Sequence, residues 1–192
     1  MKKIIFLGSS SCGKTAIIER LIYNTYNPNN DPTIGSGFYI LPFKNNTSIG
    51  CWDTAGQDRF NSLVPMFFRD SMLAVLVCDI TTRFSLDNIK RWIKYLNNNH
   101  SDIPYLIIGS KYDENNNRTV FNEDLEKLIL NTESQNKIVE VSAKSNYNID
   151  KLRDLLQDKV LQYQDIATPP SSPTIKITST KTSLKNKYCC SN

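Results

Sequence analysis

Residues Gly8-Ser9-Ser10-Ser11-Cys12-Gly13-Lys14-Thr15 combine two glycines, a lysine and a hydroxyl at the spacing G-x-x-x-x-G-K-[ST]. The glycines let the backbone fold around an anion, so that successive N–H groups and a helix N-terminus face phosphate oxygens. In such a loop Lys14 is expected to reach β- and γ-phosphates, and the Thr15 hydroxyl to ligate Mg²⁺. The motif alone does not choose between ATP and GTP. A second group is Asp53-Thr54-Ala55-Gly56-Gln57. Asp53 can hold the Mg²⁺ shell, usually through water, and the Gly56 N–H can sense a γ-phosphate. Gln57 carries both a donor and an acceptor with which to orient an attacking water. Taken alone, an Asp-Gly pair beyond a strand is as readily a simple turn.

The elements needed to position these residues can be read from apolar patterning. Lys3 to Leu7 is a short apolar run ending at Gly8, a buried strand feeding the loop. Four apolar residues are too few for the core of an export signal, despite Met1-Lys2-Lys3 before them and Cys12 after. Thr15 to Tyr23 has helical spacing, and Phe38 to Phe43 and Thr47 to Trp52 flank Lys44-Asn45-Asn46 as a hairpin. Met72 to Cys78 and Ile103 to Ile108 are near-continuous apolar runs, as in strands buried on both faces. Leu86, Ile89, Ile93 and Leu96 line a helix between them, and Leu125, Leu128 and Ile129 suggest another. Ile138 to Val141 is a short strand, followed by a last helix with Ile149, Leu152, Leu156, Val160 and Tyr163. This alternation predicts an α/β fold with a mostly parallel sheet, helices on both faces, and ligands at the carboxyl ends of the strands.

Together, Gly8 to Thr15, Thr33-Ile34-Gly35, Trp52 to Gln57 and Ser142-Ala143-Lys144 resemble a Ras-superfamily small GTPase. Within it the chain is most similar to the Rab family, through Asp58-Arg59-Phe60 with Phe67-Phe68-Arg69, Cys78-Asp79-Ile80-Thr81 with Ser85, Asn88 and Trp92, and the terminal cysteines. The resemblance implies a P-loop NTPase fold: six strands, one an antiparallel edge strand, in a domain spanning residues 1–163. It implies GTP-binding roles for Gly8 to Thr15, Tyr26, Thr33, Gly56, Ser110, Lys111, Asp113, Ser142, Ala143 and Lys144, and Mg²⁺ ligation by Thr15, Thr33 and Asp53. Tyr26 would pack on guanine, Asp113 would accept from guanine N1 and N2, and Ala143 N–H would donate to O6. Asp31, Pro32, Thr33, Ile34, Gly35, Ser36, Gly37, Phe38 and Tyr39 would form the first switch and effector region, and Gly56 to Arg69 the second. Gln57 would be the catalytic residue.

Several residues depart from the family pattern. The base motif Asn-Lys-x-Asp is here Ser110-Lys111-Tyr112-Asp113. Serine is too short to contact the base and also tie back to the phosphate loop. Losing one buried hydrogen bond costs about 1–3 kcal/mol, or roughly 5- to 150-fold in affinity, part of which a bridging water can recover. Ser11 replaces a glycine, Cys12 an aliphatic residue, and Ser36-Gly37-Phe38 an aliphatic–acidic–aromatic triplet, which leaves the identity of the effectors open.

Of 23 basic and 19 acidic residues, four lysines and Asp165 fall in residues 164–192, which therefore carry +3 of the net +4. That balance is too even for a generic nucleic-acid binder. A lone His100 disfavours histidine metal sites and Ser-His-Asp triads, and five cysteines form no disulfide framework. The Pro/Ser/Thr run Thr168 to Thr174 opens a tail expected to be disordered. Cys189-Cys190 near its end resembles a Rab double-geranylgeranylation site, in which two chains and nearby lysines give stable attachment. The resemblance thus implies a GTP/GDP switch using Mg²⁺, slow in hydrolysis, acting in vesicle traffic on the cytoplasmic face of a membrane, with a cytosolic pool. Its implied partners are an exchange factor, a GTPase-activating protein, a GDP-dissociation inhibitor or escort protein, and effectors. The alternative, prompted by Ser110, is a membrane-anchored interaction module with weak or negligible turnover.

Overall fold

The computed structural model describes residues 3–44, 46–56, 64–129 and 138–166. Six strands form one sheet: β1 (Lys3–Leu7), β2 (Ser36–Pro42), β3 (Ser48–Thr54), β4 (Ser71–Asp79), β5 (Tyr105–Ser110) and β6 (Ile138–Glu140). The helices are α1 (Lys14–Tyr23), α2 (Val64–Phe68), α3 (Arg83–Asn99), α4 (Asn122–Ile129) and α5 (Ile149–Ile166). Strand order is β2-β3-β1-β4-β5-β6, parallel throughout except for the antiparallel pair of edge strand β2 with β3. This is the six-stranded P-loop fold expected from the sequence.

Alternation along the central strands divides the core in two. Ile4 and Phe6 of β1, with Leu73, Val75 and Val77 of β4, pack on one face against Ile17, Ile18 and Leu21 of α1 and Leu152, Leu156 and Val160 of α5. Ile5, Leu7, Ala74, Leu76 and Cys78 point to the other face and meet Leu86, Ile89, Ile93 and Leu96 of α3 and Leu125 of α4. A period of two in a strand sets both faces at once, so the unbroken apolar runs are the mark of a sheet covered on both sides.

The boundaries place the functional residues. β3 runs on through Asp53 to Thr54, two residues past the expected end at Trp52, because Ser36 and Gly37 of β2 pair with Thr54 and Asp53. β5 begins at Tyr105 and not at Ile103, since Pro104 cannot donate to a ladder. α2, five residues long, has no sequence signal, being too short to show a period. Among the described residues no helix is long and apolar enough to cross a membrane.

Candidate functional site

Strands β1, β3 and β5 end on the same edge of the sheet, and the loops that follow them surround a cleft of about 320 Å³. Ser10, Ser11, Gly13, Lys14 and Thr15 line it from the loop between β1 and α1. Gly13 caps α1 with φ 96°, a left-handed conformation that favours glycine. Ser11 is also left-handed, at φ 59°. Lys14 is buried, and its ammonium donates to the carbonyls of Gly8 (3.1 Å) and Ser9 (2.9 Å), with Cys12 Sγ at 3.7 Å. The lysine is thereby fixed at the cleft by its own loop. Gly8, Ser9 and Cys12 form the side of the loop away from the cleft. Ser9 Oγ is 3.1 Å from Ser85 Oγ, and Cys12 joins the core, where burial pushes its thiol upward.

Thr15, Thr33 and Asp53 come together from three separate segments. Both threonine hydroxyls donate to Asp53 Oδ2, at 2.6 Å from Thr15 and 3.1 Å from Thr33, and the two hydroxyl oxygens are 2.9 Å apart. Octahedral Mg²⁺ at 2.0–2.1 Å sets neighbouring ligand oxygens about 2.9 Å apart, so the threonine pair matches one edge of that shell. Asp53 Oδ1 is buried with no hydrogen-bond partner among the described residues, an acceptor suited to water in the shell of a hard cation. Burial raises the Asp53 carboxyl above its ordinary value, against the opposing pull of Thr15, Lys14 and Thr33. A hard all-oxygen set with one carboxylate fits Mg²⁺ shared with phosphate, and these residues would hold it.

Gly56 abuts the phosphate loop. A Cβ there would lie 2.3 Å from Ser10 N and 2.4–2.5 Å from the Ser9 carbonyl, which only glycine avoids. The adjoining Ala55 N–H donates to Gly35 O at 2.9 Å, joining the first expected switch segment to the residue before the second. Asp31, Pro32 and Thr33 line the cleft, whereas Ile34 to Tyr39 lead away from it into β2. Ile34 is 86% exposed. Exposed Phe38 packs at 5.5 Å on Trp52, which in turn packs at 5.6 Å on Phe67.

The side of the cleft expected to take the base is lined by Tyr26, Ser110, Lys111, Asp113, Ala143 and Lys144. Ser110, at the end of β5, is buried and donates to Cys12 O at 2.6 Å, with Cys78 O farther away at 3.2 Å. The tie to the phosphate loop is therefore kept, and the serine has used its one proton to make it. Lys111, left-handed at φ 62°, pairs with Asp79 at 2.7 Å. Asp113 Oδ1 accepts from Ser142 Oγ at 2.6 Å, and Lys144 Nζ is 3.6 Å from its Oδ2. Ser142 itself does not line the cleft; it orients the carboxylate that does. Arg20 of α1 donates to the carbonyls of Ala143 (2.6 Å) and Lys144 (3.4 Å), bracing this loop from below.

Gln57, Asp58-Arg59-Phe60, Cys189 and Cys190 lie outside the described residues. Sequence reasoning missed Asn27, Pro28 and Asn30 in the cleft wall, and Asn30 donates to Glu19 at 2.7 Å. It also missed Arg20, an ordinary helix-surface arginine in sequence that reaches a loop more than a hundred residues away.

A model of the Ras family matches residues 3–162 of the chain. Ras-related protein Rab-8B of Homo sapiens is 32% identical over 198 aligned positions, covering 98% of this chain and 95% of that protein. Rab-8B of Bos taurus is likewise 32% identical, over 197 positions that cover 98% and 94%.

Proposed function

The chain belongs to the Rab branch of the Ras family, and from that premise we propose that it is a GTP-binding switch that hydrolyses GTP slowly and recruits effectors in vesicle traffic. The observation that carries this reading is the meeting of Thr15, Thr33 and Asp53. A side chain of the first switch touches the same carboxylate as the phosphate loop, so whatever orders Thr33 orders the exposed surface beyond it.

In this account Lys14 and the loop amides hold the phosphates, while Asp113, set by Ser142, accepts from the guanine N1 and N2 donors that adenine lacks in that pattern. Thr15, Thr33 and Asp53 would hold Mg²⁺, which would supply positive charge to offset that of the phosphates. Thr33 and the Gly56 N–H register the γ-phosphate. Gln57 orients a water for attack on the γ-phosphorus; the new bond is P–O, the broken one joins that phosphorus to the β–γ bridging oxygen, and GDP and phosphate leave. The sequence offers no evident arginine finger of its own, so turnover is slow until a partner supplies one, for a gain of about 10³–10⁵.

Cys189 and Cys190 are the proposed geranylgeranylation sites, and residues 164–192 the address that carries them to a cytoplasmic membrane face. Exchange factor, GTPase-activating protein, GDP-dissociation inhibitor or escort protein, and effectors complete the cycle. The test is single-turnover GTP hydrolysis together with localisation of a tagged chain beside its Gln57→Leu and Cys189→Ser/Cys190→Ser forms. Slow hydrolysis abolished by Gln57→Leu, and membrane staining lost with the cysteines, are expected. Hydrolysis indifferent to Gln57, or membrane association indifferent to both cysteines, refutes the corresponding step.

A further inference from the structure

Behind the base-binding side of the cleft, two tyrosines stack face to face. The rings of Tyr112 and Tyr147 have centroids 4.2 Å apart and planes inclined by 9°. Tyr112 sits between Lys111 and Asp113, in the 3₁₀ turn Tyr112–Asn117. Tyr147 belongs to the loop that carries Ser142, Ala143 and Lys144. It is flanked by Asn146 (φ 63°) and Asn148 (φ 57°), both left-handed. Asparagine tolerates that conformation better than most residues, but two so close together mark a backbone bent to a purpose. Tyr147 nevertheless leaves 42% of its surface exposed, so the stack is not simply core.

The stack joins parts that already converge on Asp113. Tyr112 N–H donates to Val141 O at 3.1 Å, and Ser142 N–H to Tyr147 O at 3.1 Å. Ser142 Oγ donates to Asp113 and accepts from Ser145 N–H at 3.0 Å. The Arg118 guanidinium lies 6.0 Å from the Tyr112 ring and pairs with Glu140, whose carbonyl accepts from Asn148 at 2.9 Å.

We propose that Tyr112 and Tyr147 are positioning residues for nucleotide specificity: their stack clamps the loop bearing Asp113 to the loop bearing Ser142 and Ala143, and so sets the carboxylate and the amide at one spacing for the guanine edge. The inference rests on the GTP-binding reading above. Ser110 gives its proton to Cys12 O and contributes no donor to the base. Alignment of the two loops therefore carries more of the base selectivity.

The test compares the affinities of the full chain for GTP and ITP by competition against a fluorescent guanine nucleotide. Hypoxanthine lacks the N2 amino group, so the GTP-over-ITP ratio reads how well Asp113 meets N2. With a stacked aromatic pair lost, Tyr147→Ala and Tyr112→Ala should each lower that ratio by about 3- to 10-fold. The double variant should lower it no further, and Tyr147→Phe and Tyr112→Phe should keep it. Tyr147→Leu retains bulk without a stack and reads the same ratio should the alanine form not fold. A purely structural role would lower the melting temperature and leave the ratio unchanged, and an unchanged ratio overturns the inference. A wild-type chain that binds neither nucleotide refutes the function reading itself, and the inference with it.

Discussion

Replacing Ser110 by asparagine tests the base site at its most unusual residue. The serine hydroxyl has one proton, and Cys12 O at 2.6 Å takes it in preference to Cys78 O at 3.2 Å. Guanine presents only acceptors, N7 and O6, along that edge. Wild-type protein should therefore gain nothing from N7 and should bind GTP and 7-deaza-GTP equally. An asparagine amide has two N–H donors, one for Cys12 O and one for N7. A net hydrogen bond is worth about 0.5–1.5 kcal/mol, so Ser110→Asn should favour GTP over 7-deaza-GTP by about 2- to 13-fold. Ser110 is buried, and the added atoms can cost about 1–3 kcal/mol in overpacking. That cost falls on both nucleotides and cancels in the ratio, which is why the ratio, measured by competition with a fluorescent GDP, is the quantity to read. A wild-type preference of fivefold or more for GTP, or a ratio of one in Ser110→Asn, would refute the assignment of the serine proton.

Three further outcomes follow from the same geometry. Gly56→Ala places a methyl 2.3–2.5 Å from the phosphate-loop backbone; GDP binding should persist while the preference for GTP over GDP is lost, as competition binding would show. Asp113→Asn turns an amide N–H₂ toward guanine donors or breaks the Ser142 contact, and GTP affinity should fall by about 10- to 150-fold in the same assay. Burial pushes the Cys51 and Cys78 thiols up to about 12 and raises Cys12 as well. At pH 8 only roughly one in 10⁴ of a thiol with a pKa near 12 is thiolate. Iodoacetamide followed by peptide mass spectrometry should then find all three cysteines unmodified in folded protein and modified in urea.

What could be read from sequence divides along physical lines. The phosphate loop could be located because its function depends on backbone conformation at fixed spacing, and Gly13 and Lys14 stand where that spacing puts them. β1, β4 and β5 could be recognised because burial on both faces leaves an unbroken apolar run. The resemblance could name Asp53 together with Thr15 and Thr33, but not their geometry: that both hydroxyls share its Oδ2 goes with β3 extending past Trp52. The Ser110 tie depends on a hydroxyl's reach from the end of β5 to the phosphate loop, 98 positions away in sequence, for which there is no sequence pattern. Tyr112 and Tyr147, 35 positions apart, meet where two asparagines turn the chain left-handed around the second tyrosine. Contacts between loops distant in sequence leave no periodicity.

GTP recognition is tested at its root by chromatography of the nucleotide released from the purified 192-residue chain after incubation with equal GTP and ATP in Mg²⁺. Guanine nucleotide should be found bound near one per chain, part of it converted slowly to GDP, with adenine nucleotide absent. Protein that carries no guanine nucleotide at micromolar GTP, or that holds ATP as readily, would contradict it.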